Sequence, residues 1–329
     1  MSEFFAAYGL FLAELATLAV LVVSVVVLIF ALRRGGRADG LVVQHLNRSF
    51  EDAADELKLA VDGKGRHKKD AKARAKERKR ADKARDKQEQ AKPRTFVLDF
   101  KGDLRASAVA SLREEVSAVV QVAKPGDDVL LKLENPGGTV HEHGLAASQL
   151  LRLKQRGLPL TVAVDKVAAS GGYLMACVAD RLIAAPFAII GSIGVLAQLP
   201  NFHRLLEDKG VDFEQVTAGR YKRTLTLFGK NTDEGREKLR QEVEDVHELF
   251  KAQIHAYRPQ VDLERVATGE HWHGIRALEL KLVDELRTSD DVLLDAAKER
   301  DLYHLAYKRR RALSERVLGG VESVFERLG

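Results

Sequence analysis

The stretch LTVAVDKVAASGGYLMACVADRLIAA, residues 160–185, holds in one place the alternation that decides the fold. LTVAV (160–164) is a short, branched, apolar run of strand type. Small residues then permit a tight turn, Gly171 to Val178 reads as a helical stretch, and RLIAA (181–185) returns to strand character. Upstream the same rhythm repeats. TFVLDF (95–100) is an apolar and aromatic strand, and Leu112, Val116, Val119 and Val120 recur at helical spacing. VLLKL (129–133) is the next strand and Leu145 to Leu153 the next helix. Strands and helices alternating across short turns predict an α/β fold, a mostly parallel sheet with covering helices.

Downstream, Asp233 to Tyr257 reads as a long amphipathic helix with Leu239, Val243, Val246, Phe250 and Ile254 on one side, and Ile275 to Leu282 as another, followed by VDEL. Residues 291–329 carry helical periodicity and a basic cluster, Lys308 to Arg311, and are expected as a C-terminal helical extension. The uncharged run Leu182 to Pro200 is long enough to span a bilayer. Pro186, Gly191 and Gly194 interrupt it, so it reads instead as buried strands joined by a glycine turn.

The amino-terminal run is different. Leu15 to Leu32 holds 18 residues without a charge, about 27 Å of helix against a hydrocarbon layer of roughly 30 Å. Residues 1–32 are therefore expected to form a membrane anchor. Arg33, Arg34 and Arg37 follow it while Glu3 precedes it, a bias that favours a cytoplasmic continuation. The whole chain of 329 residues carries 53 Lys/Arg against 48 Asp/Glu, a formal charge of +5, yet residues 64–94 alone hold 15 basic and 5 acidic side chains. The rest of the chain is mildly acidic. Residues 33–93 read as a basic linker, largely disordered or a solvated helix, because the basic stretch has almost no large apolar side chain to bury. It suits anionic lipid headgroups; without interleaved aromatics to stack bases, no nucleic acid is expected as partner. The lone Cys177 excludes an intramolecular disulfide and a multi-thiolate metal site.

Ser170 follows a strand and precedes Gly171-Gly172, where a helix begins and its first N–H groups are unpaired. Such N–H groups can hold a developing oxyanion. LENPGGTV (133–140) places a second glycine pair after a strand, where the main chain can approach a ligand closely. Two such turns after adjacent strands suit the two halves of an acyl-transfer site. A serine needs a base. GxSxG is absent, and the candidates are scattered: His141 and His143 after the glycine turn, His247 and His255 on the long helix, His271 and His273 around Trp272, and Lys222 in TAGRYKRTLTLFG. Lys222 has few carboxylates beside it, and burial there would favour its uncharged amine. Read as a surface residue, it is one more basic side chain between Arg220 and Arg223. Leu174, Met175, Ile193, Val195 and Leu196 surround the motifs and suit a pocket for small or apolar peptide side chains, or equally an ordinary core.

VAASGGY, the PGG turn, GSIGV and GRYKRTLT together resemble the SohB and signal peptide peptidase A family of membrane-associated serine peptidases, nearest its SohB branch, over roughly residues 94–290. The resemblance implies a Clp protease/crotonase-like spiral of mostly parallel strands and helices, a peptidase domain over 94–290, and a homo-oligomeric ring or bowl. It implies Ser170 as nucleophile and Lys222, 52 residues later, as general base. It also implies Gly138 as an oxyanion-hole glycine, Gly171 as a second donor, and Ser192 as the hydroxyl that orients the lysine. No cofactor or metal is implied. The expected substrates are signal-peptide-like or other membrane-associated peptides at a bacterial inner membrane. His271 and His273, in GEHWHGIRALELKLVDEL, depart from the family's usual motif and question local substrate contacts. Two other classes share the pattern: a crotonase-type enzyme acting on acyl thioesters, and a catalytically silent membrane scaffold.

Overall fold

The computed structural model describes residues 9, 11, 13–18, 21, 39–62 and 92–309. The expected anchor over 1–32, most of the basic stretch and residues 310–329 lie outside the described residues, apart from the few positions just given. Among the described residues no helix is long and apolar enough to cross a membrane. One compact unit runs Leu41–Tyr307; the other, Met1–Gly40 with Lys308–Gly329, falls almost wholly outside the description.

In chain order the strands are β1 (Gly40–His45), β2 (Arg94–Lys101), β3 (Asp128–Glu134), β4 (Leu160–Val164), β5 (Val167–Ala169), β6 (Arg181–Ala184), β7 (Ile189–Gly191), β8 (His271–His273), β9 (Glu285–Leu286) and β10 (Asp301–Lys308). Seven form one sheet in the order β1-β10-β2-β3-β4-β6-β9, and β5-β7-β8 form a second. The pairs from β10 through β9 are parallel. Parallel neighbours need covered faces, and the two-residue alternation supplies them. Leu98, Leu131, Val162 and Leu182 lie side by side in register and are buried under the helices Val109–Val122 and Val140–Gln155. Val97, Leu130, Ala163 and Ile183 face the other way, against Val292 and Leu293 of the helix Ser289–Glu299 and against Leu46 and Phe50.

Each of β4 and β6 is followed at once by a strand of the smaller sheet, β5 and β7. After β3 the chain makes the same move with a single bridge, Asn135 to Ala168. These steps bring the ends of β3, β5 and β7 together. Leu182–Pro200 is thus no helix: it contains β6 and β7, separated by a turn at Pro186-Phe187, as the interrupting proline and glycines suggest.

Two sequence expectations need correction. Residues 40–62, read as linker, form β1 and the helix Leu46–Asp62. Their anchor is Asn47, whose amide nitrogen donates to Ala297 O (3.0 Å) and Arg300 O (2.9 Å) while its oxygen accepts from Leu302 N (2.8 Å). Residues 301–308, read as helix, form β10, inserted between β1 and β2 with Leu302 and Leu305 buried. A buried strand between two neighbours gains a ladder on both edges, which outweighs a weak helical period.

The end of β10 is tied down by Glu115, almost fully buried on the helix Val109–Val122. Its Oε1 accepts from Tyr307 N at 2.7 Å, while Oε2 is buried without a partner. Loss of hydration pushes this carboxyl above the usual glutamate range, against the opposing bond from Tyr307. A raised carboxyl destabilises the fold as pH climbs through its folded value, because only then must the charge be buried. Glu115→Gln is therefore expected to raise the melting temperature at pH 8 by about 2–4 °C, roughly 1 kcal/mol, and to change it little at pH 4. Equal shifts at both pH values in a thermal melt would disprove the buried-charge account.

Candidate active site

Ser170 sits where β5 gives way to the short helix Gly171–Ala176, and its backbone is held at φ 52°, ψ −120°. A non-glycine residue at positive φ is strained. The bend is fixed from two sides: Ser170 N donates to Gly191 O at the end of β7 (2.8 Å), and Ser170 O accepts from Leu174 N (3.0 Å). Its hydroxyl does not cap the helix. The two glycines that follow are a packing requirement. A Cβ at Gly172 would fall 2.1 Å from Asn135 O, and one at Gly171 would fall 2.5 Å from Cγ of His143.

The PGG turn leaves β3 and folds onto this bend. Gly137 has φ +93°, and a Cβ there would meet Ala169 O at 2.7 Å, Ser170 Cβ at 2.8 Å and Gly171 N at 2.9 Å. Gly138 lies against Leu104, whose carbonyl accepts from Thr139 N at 3.0 Å. Neither Gly138 N–H nor Gly171 N–H finds a partner among the described residues. Ser192, also at φ 52°, follows β7, with its N–H donated to Glu270 O at 2.6 Å.

Ser170, Gly138, Gly171 and Ser192 all line one cleft of about 1000 Å³. Of the apolar residues singled out in the sequence, Leu174, Val195 and Leu196 line it; Met175 and Ile193 do not, being fully buried in the core. The remaining wall comes from Val246, Leu249, Phe250 and Gln253 of the helix Asp233–Tyr257. Their spacing of three and four was visible in the sequence, but nothing there said which cavity that face would meet. The described lining holds no lysine, aspartate or glutamate; its ionisable groups are His141 and His143.

Lys222 is not in this cleft. It is exposed, on a stretch from 194 to 234 in which no residue is buried. Yet that arm carries Leu196, Leu199, Phe202, Leu205, Val211, Phe213, Val216 and Phe228, all exposed. The burial expected around a lysine base is thus missing within one chain. Nor does a histidine replace it. His143 is fully buried with its ring nitrogens facing Thr139 O (Nδ1, 2.9 Å) and Asn135 Oδ1 (Nε2, 3.2 Å), and neither is hydrogen-bonded to Ser170. His141 is exposed and lies beside Glu142 at 3.9 Å. His247, His255, His271 and His273 do not line the cleft; His273 faces Phe187 O at 3.2 Å. Among the described residues no cluster of His, Cys, Asp and Glu suits a metal ion.

A family model described as Peptidase family S49 matches residues 152–303, and one described as Peptidase family S49 N-terminal matches residues 3–150. The chain is 45% identical to a protein of Haemophilus influenzae named "Probable protease SohB", over 95% of this chain and 92% of that one. It is 55% identical to the protein of the same name from Buchnera aphidicola, over 70% of this chain and 68% of the other.

Proposed function

Because the chain belongs to peptidase family S49, and is a peptidase by that membership, we propose that it cleaves peptides with Ser170 as nucleophile and Lys222 as general base. The observation that carries this reading is the convergence of Ser170 with the two unpartnered glycine amides and Ser192 in one uncharged cleft. Ser170 Oγ attacks the substrate carbonyl as the Lys222 amine takes its proton; the resulting oxyanion is held by the N–H groups of Gly138 and Gly171. Collapse breaks the C–N bond, the lysine ammonium protonates the leaving amine, and an acyl-enzyme remains. Water, activated by the same lysine, releases the acid. Ser192 accepts or donates one hydrogen bond to keep the amine aimed.

Lys222 reaches the cleft in an assembly. An arm without buried residues but with eight large exposed apolar side chains is a surface awaiting a partner, and the partner proposed is a second copy. Covering the arm also removes water from the amine, which favours its uncharged form. The apolar lining, Leu174, Val195, Leu196, Val246 and Phe250, matches uncharged extended peptides such as those drawn from membrane segments. An anchor over residues 1–32 and the basic stretch 64–94 against anionic headgroups would hold the enzyme at a bacterial inner membrane, with the charge bias favouring the cytoplasmic side.

A serine-directed phosphonate given to the detergent-solubilised full chain should label the peptide containing Ser170. An acyl-thioester enzyme or a silent scaffold would stay unlabelled. With labelled sites counted, a peptide set varying the residue before the scissile bond should show turnover falling by about 10-fold or more when that residue is charged, since a buried charge finds no partner in this lining. Indifference to charge would remove the apolar-pocket assignment.

A further inference from the structure

His143 is the one ionisable side chain fully buried at the cleft, and the mechanism above gives it no part. Its surroundings are those of a built contact. It belongs to the first turn of the helix Val140–Gln155, directly after the PGG turn. Its Nδ1 faces Thr139 O at 2.9 Å and its Nε2 faces Asn135 Oδ1 at 3.2 Å. Asn135 is itself fully buried, and the same Oδ1 accepts from Gly137 N at 2.9 Å, which identifies that atom as the oxygen. Asn135 Nδ2 points to Met175 Sδ at 3.2 Å. The face of the His143 ring meanwhile lies against Gly171, so closely that a Cβ there would sit 2.7 Å from Cδ2.

One ring therefore touches both turns that present the oxyanion donors. Through Asn135 it fixes the Pro136–Gly137 peptide, and with it the direction of the next N–H, that of Gly138. Through packing it sets how deep Gly171 can sit. We propose that His143 is a positioning residue of the oxyanion site, holding the Gly138 and Gly171 N–H groups at a common point beside Ser170. The inference rests on the serine-peptidase reading above. It also gives a buried histidine with oxygens at both nitrogens a part to play: the tautomer with its proton on Nε2 donates to Asn135 Oδ1, and the other tautomer donates from Nδ1 to Thr139 O. A hydrocarbon ring of similar size would fill the space and brace neither.

The test compares His143→Phe and His143→Gln with the wild-type full chain in detergent, on one apolar peptide substrate. Phe keeps the ring against Gly171 and removes both nitrogens; Gln keeps a donor for Asn135. His143→Phe should lower kcat by about 10- to 100-fold with KM within about threefold, and slow phosphonate labelling of Ser170 by a similar factor. His143→Gln should recover kcat to within about fivefold of wild type. Wild-type kcat in a folded His143→Phe chain, or equal losses in both variants carried by KM, overturns the assignment. Should the Phe variant not fold, ¹⁵N-histidine in the wild-type chain reads the same question: the His143 ring resonances must move when a peptide aldehyde adds to Ser170, and unmoved resonances overturn it. Ser170→Ala separates the two levels. If that variant still turns over substrate, the nucleophile is wrong; if it is dead while His143→Phe is unimpaired, only the role of His143 falls.

Discussion

Replacing Ser170 by alanine is expected to lower peptide turnover by at least about 10⁴-fold while leaving the melting temperature within a few degrees. The size of the loss follows from the cleft. Among the described residues its own lining offers no ionisable group but His141 and His143, and without Oγ no acyl-enzyme forms, so the amine proposed to reach in from a neighbouring chain has only free water to activate. The preserved fold follows from the bend. The hydroxyl caps no helix, and the contacts that fix the position, Ser170 N to Gly191 O and Leu174 N to Ser170 O, are main-chain bonds an alanine keeps. Turnover by a purified, folded Ser170→Ala chain would falsify the nucleophile assignment.

Lys222→Ala is expected to cost about 10³-fold or more in kcat, with substrate binding nearly unchanged, since the role proposed for the amine is to move a proton rather than to hold the peptide. The sharper result comes from mixing. Ser170→Ala and Lys222→Ala chains, each inactive alone, should regain up to about a quarter of wild-type activity when dissociated and reassembled together, the fraction of sites that draw an intact serine and an intact lysine from neighbouring chains in a head-to-tail arrangement. A mixture as inactive as its components would place both groups in one chain and remove the shared-site proposal. Full activity in Lys222→Ala alone would remove the lysine.

The parts of the molecule legible in the sequence are those decided locally. LTVAV became β4 without a shift, and Asp233–Tyr257 is the helix its apolar spacing marked. The glycine turns were legible because close backbone packing leaves no room for a Cβ, as at Gly138 and Gly172. What stayed hidden depends on partners far along the chain. β10 carries no stronger strand pattern than the helix before it; it is a strand because β2 offers an open parallel edge some two hundred residues earlier. β1 and the helix after it were overlooked because what ties them down lies some 250 residues later: Asn47 bonds to residues 297–302, Leu46 and Phe50 pack against Val292 and Leu293, and the His45 ring meets Tyr303. The His143–Asn135 pair was likewise invisible, since eight residues of separation across a turn say nothing about two side chains meeting beneath it. Met175 and Ile193 show the converse: apolar neighbours of a motif need not face its cavity.

The dihedrals at Ser170 have a consequence for how the chain tolerates change. At φ 52°, ψ −120° a side chain is disfavoured by about 1–3 kcal/mol, whereas glycine visits that region freely and gives back only about 0.5–1 kcal/mol in the unfolded ensemble. Ser170→Gly should therefore melt at or above the wild-type temperature. Laboratory evolution scored on heat resistance alone would drift toward that substitution and deliver a tougher, inert protein. On the nucleophile role proposed for it, the residue at this corner is held there by chemistry, against the preference of the backbone that carries it.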